Sequence, residues 1–290
     1  MRNQFTFSYP ETIVFLENKY QPLQGIVKIF KAILPFRKNK HTENTENAVD
    51  SSVPAESRAD QKYSLLSVCL IGFAIVLPLL WIAVLRYFML DTGECSLDTY
   101  YHARIAEMGP EVFLAKEFPW TELSVWRTNF ADKEMLYHVL LWLLFGIQDI
   151  LGLSPEPPFH IPAILIFAGM LSAWVFAGLR FGIKPGLLCA GSLLFCFLAP
   201  NCTYRLMMMR PHILSLMLIM IACGIMAGGS LKKRVIGVFV LSVIYAWSYS
   251  NPHFIVIPAL IFSLCHYRKD RWKVLLLPFC SLCGVLLALV

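Results

Sequence analysis

Residues 64–90 read SLLSVCLIGFAIVLPLLWIAVLRYFML, with a single charged side chain, Arg86, near the end. A continuous apolar run of this length exceeds the roughly twenty residues a helix needs to cross a hydrocarbon core, and it fits with some tilt. A membrane β-barrel would instead show alternating segments of about ten residues. Further apolar runs follow at Met135–Leu151, Ile161–Leu179, Leu187–Pro200, His212–Ala227, Val235–Tyr249, Phe254–Cys265 and Val274–Val290. Several fall short of a simple span. Val235–Tyr249 and Phe254–Cys265 must therefore extend into their connecting loops or belong to broken helices. The expected fold is all-α, a polytopic transmembrane helical bundle of seven to eight apolar segments with a large outside loop after the first span.

The rest of the composition agrees. The 290 residues are 57% hydrophobic and only 15% charged, with a mean hydropathy of +0.61, whereas soluble domains run near 45–50% and about 25%. The net charge of +6 resides in the N-terminal tail and in short loops between apolar runs. There it sets topology, so no nucleic-acid partner is expected. Of nine cysteines, Cys69, Cys189, Cys196, Cys223, Cys265, Cys280 and Cys283 fall in or beside apolar runs, where cysteine behaves as a small hydrophobe. Cys95 and Cys202 lie in loops, and no disulfide framework is read.

Residues 1–63 form a polar tail. Its apolar island Ile26–Phe36 is either an interfacial amphipathic helix or part of a loosely ordered tail, and His41–Lys62 reads as a flexible linker. The tail carries Lys28, Lys31, Arg37, Lys38, Lys40, Arg58 and Lys62, which places the N-terminus in the cytoplasm and the loop 91–134 outside. Plain alternation through eight spans would then put Arg180/Lys184, Lys232–Arg234 and Arg268–Lys273 outside, against the positive-inside rule. If Met135–Leu151 lies along the interface or re-enters, all three basic loops return to the cytoplasm. The region 135–290 is then transmembrane, with the sequence ending inside a span. The outside face carries three polar stretches: the acidic loop, NCTYRLMMMRPH at 201–212 and SNPH at 250–253.

Those stretches hold the candidate residues. Asp98 and His102, four apart in DTYYHAR, project from one face of a helix. Asp132 and Glu134 close the loop in FADKE, and His138 follows one helical turn after Glu134. Carboxylates and imidazoles so placed can hold a divalent cation or serve as a general base. Equally, they can be the solvated acids of an ordinary outside loop. Arg205 and Arg210 bracket a methionine run and suit a phosphate, whose oxygens match the guanidinium fork; the alternative is an interfacial anchor. Arg86 reads as a snorkelling side chain, His212 and His253 as boundary residues, and Trp120, Trp126 and Trp142 as an aromatic belt. No Walker A, GxGxxG, HExxH or GxSxG string is present.

The layout of a first span followed by an outside loop that opens on Asp98 resembles the GT-C class of integral membrane glycosyltransferases. The string Asp98-Thr-Tyr-Tyr101-His102-Ala-Arg104 is similar to the first acidic motif of oligosaccharyltransferase catalytic subunits. The layout is also similar to that of protein O-mannosyltransferases and lipid A aminoarabinose transferases. The chain has no WWDYG string and no soluble C-terminal domain, so the likeness covers the membrane region, roughly 64–273, and implies a longer parent protein. It implies juxtamembrane helices in the loop, a polyprenyl-phosphate-linked sugar as donor, and transfer to an acceptor on the outer face. Asp98, Asp132 and Glu134 become candidate catalytic acids, Arg205 and Arg210 donor-phosphate contacts, and His102 and Tyr101 further site members. A divalent cation, Mg or Mn, would sit on Asp98 and Glu134 if one is used. Membrane lipids are the implied surroundings, in a bacterial inner (cell) membrane. The alternative is a non-catalytic or transport-type polytopic protein.

Overall fold

The computed structural model describes residues 64–90, 94, 96–118, 127–153, 159–197 and 200–289. The tail 1–63 with its island and linker, Cys95, Trp120 and Trp126 lie outside the described residues. The described chain is entirely helical, with no strand. In order the helices are α1 Leu65–Met89, α2 Leu97–Met108, α3 Pro110–Phe113, α4 Met135–Ile150, α5 His160–Arg180, α6 Pro185–Phe197, α7 Pro200–Met207, α8 Pro211–Met226, α9 Leu231–Ala246, α10 Val256–Asp270 and α11 Leu276–Ala288. Short 3-10 turns, Pro252–Ile255 and Arg271–Leu275, lead into α10 and α11.

Two of these, α1 and α5, are long and apolar enough to cross a bilayer, and α6 with α7 makes a third candidate as a pair bent by 90°. Shorter apolar helical stretches are α4, α8, α11 and Pro252–His266, which runs from the 3-10 turn into α10. Helix α9 outruns its apolar stretch because Leu231–Arg234 joins it at the start. Backbone hydrogen bonding sets a helix boundary, and charged residues satisfy it as well as apolar ones do.

Local chemistry starts and stops the elements. Ser64 caps α1, its Oγ accepting from Ser67 N at 3.2 Å, and Ser96 caps α2 by accepting from Asp98 N at 3.3 Å. Proline opens α3, α6, α7 and α8, a position where its missing N–H costs nothing. Gly109, at φ +73°, turns the chain between α2 and Pro110.

The core is built on two close seams. Helix α8 lies against α5, where a Cβ at Gly224 would stand 2.3 Å from the Phe176 ring. Helix α11 lies against α9, where a Cβ at Gly284 would stand 2.6 Å from Phe239 O, and Ser242 and Ser281 share a 2.8 Å hydrogen bond. Small residues let helix backbones approach, which is how apolar helices gain contact without a hydrophobic drive between them. Each cysteine among the described residues is free, including Cys280 and Cys283, a Cys-x-x-Cys spacing inside α11.

The two ends of the bundle differ. At one end the last turn of α1 meets the start of α5 and the end of α7. There Arg86 donates to Phe159 O at 3.2 Å and to Met207 O. The end of α9 joins them: Leu136 N donates to Trp247 O at 2.9 Å, and Trp247 Nε1 to Ala288 O at 2.9 Å. The loop helix α2 covers α4 at this end. At the other end Arg180 closes α5 and reaches the α8 terminus at Gly224 O, 3.4 Å away. Exposed Lys184 stands on the loop into α6, and exposed Lys232 and Lys233 in the first turn of α9.

Candidate functional site

The first of these ends gathers the polar residues. In α2, Ser96 is the buried cap and Asp98 in the first turn is exposed, while Thr99, His102, Ala103, Ile105 and Ala106 form the buried side. His102 lies beneath Asp98 as i, i+4 spacing requires. Helix α4 begins after FADKE, so Glu134 is its N-cap and His138 lies one turn inside. The packing of α2 on α4 then brings two imidazoles together that are 36 residues apart in sequence. His102 Nδ1 lies 2.9 Å from His138 Nε2.

On its far side His138 Nδ1 lies 2.7 Å from Asp132 Oδ2, an acceptor that favours a proton on Nδ1 and leaves Nε2 turned toward His102. Asp132 is itself held, its Oδ1 accepting from Glu134 N at 3.0 Å. Glu134 Oε2 stands 3.6 Å from His102 Nδ1. Its carboxylate also bonds Ser250, from the third polar stretch. His102 and His138 are buried, at 6% and 1% exposure.

Burial governs the protonation of this cluster. It holds His102 far below the usual imidazole value, at about 3, reinforced by His138, Arg210 and His212. His102 is therefore a neutral imidazole at physiological pH. Burial raises Glu134 above the usual carboxylate value, opposed by its Ser250 bond. Tyr101, whose ring meets those of His102 and His138 edge-on, is pushed up to about 12, first by burial and then by Asp132 and Glu134. Its phenol stays protonated and can donate.

Arg210 comes from the second polar stretch, at the N-cap of α8. It pairs with Asp98 Oδ2 at 2.5 Å and donates to Ser96 Oγ through Nη2 at 2.5 Å and Nε at 3.1 Å. The pair faces solvent: Asp98 is 63% exposed and Arg210 26%. All three polar stretches thus contribute to one place, through Asp98, Asp132 and Glu134, through Arg210, and through Ser250.

Other residues fall elsewhere. Arg205 is exposed on α7, and its carbonyl accepts from His212 Nε2–H at 3.0 Å. His212, read from sequence as a boundary residue, lies near enough to act on His102 electrostatically. His253 stacks edge-on with Phe254 and stays exposed. Arg86 corrects its sequence reading outright. It does not snorkel: it is fully buried and paired with buried Glu94, Met207 O and Phe159 O. Glu94, eight residues on and beyond the helix, gave no sequence signal as its partner.

An apolar cavity of about 500 Å³ lies between α5, α6, α7 and α8, lined by Met170, Trp174, Phe195, Cys202, Leu216 and Met220 among others. The chain matches no family model, no curated protein and no solved structure.

Proposed function

We propose that the chain is a GT-C type membrane glycosyltransferase that moves a sugar from a polyprenyl-phosphate donor to an acceptor at the outer membrane face. One observation carries this reading. The first-loop aspartate of DTYYHAR is bonded to an arginine of the second polar stretch, beside a cluster of imidazoles and carboxylates. The apolar cavity supports it with room for isoprenoid units.

The topology supports it as well. Helices α4 and α5 both begin at the site end, since His138 meets His102 there and Phe159 O meets Arg86 there. A non-crossing α4 accounts for two successive helices starting on one side. That leaves seven spans, with the basic loops at Arg180–Lys184 and Lys232–Arg234 on the cytoplasmic side. Transport is less favoured. No charged side chain falls midway along α1, α5, α6, α8, α9, α10 or α11, where a coupled carrier would bind its ion or substrate.

In the transfer, an acceptor hydroxyl or amide attacks the anomeric carbon as the bond from that carbon to the phosphate oxygen breaks. Polyprenyl phosphate leaves with the electron pair, and the acceptor's proton passes to a base. Asp98 takes that proton: Oδ2 is on Arg210, and the exposed carboxylate has Oδ1 to offer. Arg210, held by Asp98 and Ser96, opposes the charge that grows on the departing phosphate. Arg205 offers a second cation at the same helix junction. The test is transfer of labelled sugar from polyprenyl-phosphate donors in membranes carrying the chain. Asp98→Asn should remove transfer and leave insertion intact. Full transfer by that variant would dismiss Asp98 as the base, and silence of the native chain across donors would dismiss the reaction.

A further inference from the structure

We infer that His102 Nδ1, His138 Nε2 and Glu134 Oε2 form a binding site for one transition-metal ion, of the zinc class, with Asp132 as the outer carboxylate that orients His138. The three donor atoms lie within 4.8 Å of one another. The two separations from His102 Nδ1 fit a shared metal. With bonds of about 2.0–2.1 Å, two ligands sit roughly 2.9 Å apart at a right angle and roughly 3.4 Å apart in a tetrahedron. The two nitrogens are 2.9 Å apart, and Glu134 Oε2 is 3.6 Å from His102 Nδ1.

The hydrogen-bond pattern points the same way. Asp132 accepts from His138 Nδ1–H at 2.7 Å, the carboxylate–histidine pairing that aims the other ring nitrogen at a metal. His102 needs only to carry its proton on Nε2 for both lone pairs to converge on one point. A fully buried Tyr137 hydroxyl with no hydrogen-bond partner lies in the same electrostatic neighbourhood, within reach of Glu134 and Arg210. Its ring stands edge-on to His102, with centroids 5.3 Å apart.

The donor set decides the class of ion. Two imidazoles and one carboxylate suit zinc, manganese, iron or cobalt, whereas magnesium and calcium prefer an all-oxygen shell. Three protein ligands leave coordination positions open, the pattern of catalytic rather than structural sites. This revises the sequence-based assignment. Glu134 stays a ligand, but Asp98 is turned to Arg210 and the nitrogens of His102 and His138 replace it. When bound, such an ion would supply a Lewis acid beside Asp98 and Arg210. That role in transfer rests on the reading above; the occupancy of the site does not.

The test is metal content of the full chain, purified tag-free in detergent without chelators, by mass spectrometry and by titration with Zn²⁺ and Co²⁺. One ion per chain is expected, with a Co²⁺ spectrum typical of mixed nitrogen and oxygen ligands. His102→Ala and His138→Ala should abolish binding. Asp132→Asn should weaken it about 10- to 100-fold without abolishing it. Elution as a monodisperse species checks that each variant folds, and His138→Gln serves if the alanine variant does not. Asp98→Asn should keep the metal while losing transfer, which separates this proposal from the enzymatic one. No ion bound at saturating Zn²⁺, Mn²⁺ and Co²⁺, undiminished binding in His102→Ala/His138→Ala, or preference for Mg²⁺ over Zn²⁺ would overturn it. The first outcome would leave Asp132, His138 and His102 as a hydrogen-bonded relay.

Discussion

The two ends of the bundle use the same residue type in opposite ways. At the site end Arg86 is buried with Glu94 and two backbone carbonyls, and Arg210 is fixed on Asp98 and Ser96. At the other end Arg180 and Arg234 reach single backbone oxygens, Gly224 O at 3.4 Å and Gly229 O at 3.0 Å, among exposed lysines. A cation beside solvent needs no partner and carries orientation through its charge alone. A cation withdrawn from solvent, as Arg86 is, needs its partners in place and so specifies geometry. The far-end cations can be exchanged; Arg86 cannot.

The largest effect should come from breaking the buried pair. Arg86→Leu leaves Glu94 without its cation, and such a loss costs about 3–5 kcal/mol. Thermal unfolding in detergent would show it, and Arg86→Leu/Glu94→Leu should recover part of the loss. A single variant as stable as the native chain would mean that Arg86 holds nothing together. Next comes Asp98→Asn, with transfer down about 100-fold or more at unchanged unfolding temperature, because the Asp98–Arg210 pair faces solvent. A matching drop in stability would make this pair structural, like that of Arg86.

Asp132→Asn should fall between the two ends in character. It keeps the shape of the His138 contact but loses its charge, so transfer should drop by about 10- to 100-fold while the chain still inserts and elutes normally. The smallest effect on stability belongs to the far end. Lys232→Ala with Lys233→Ala should change it by under about 0.5 kcal/mol, yet raise the fraction of molecules inserted in reverse, read by labelling engineered cysteines from either side. Unmixed orientation in that variant would show that other loops set the topology.

Much of this contrast was legible in the sequence. Helix positions follow the apolar runs, and α1 differs from its expected span by one residue at each end. The stretch between α1 and α4 holds two short helices, α2 and α3. Partnerships were not legible. Asp98 and His102 share a helix, so their common face could be read, whereas His102 and His138 meet only because α2 packs on α4. Arg86 was misread because hydropathy records depth in a run and is blind to an acid beyond its end. Arg205 and Arg210 look equivalent as letters. Only the turn from α7 into α8 distinguishes them, aiming one at Asp98 and leaving the other in solvent.

Arg86 has a consequence for how the chain is made. Its three partners belong to segments synthesised at different times: Glu94 a few residues after it, Phe159 later and Met207 last. When α1 first reaches the bilayer, only the Glu94 contact is available to it. The remaining two arrive as α5 and then α7 emerge, each satisfying another donor on the same guanidinium. The first helix therefore records the progress of assembly, and its place is final only when the chain has been read through Met207.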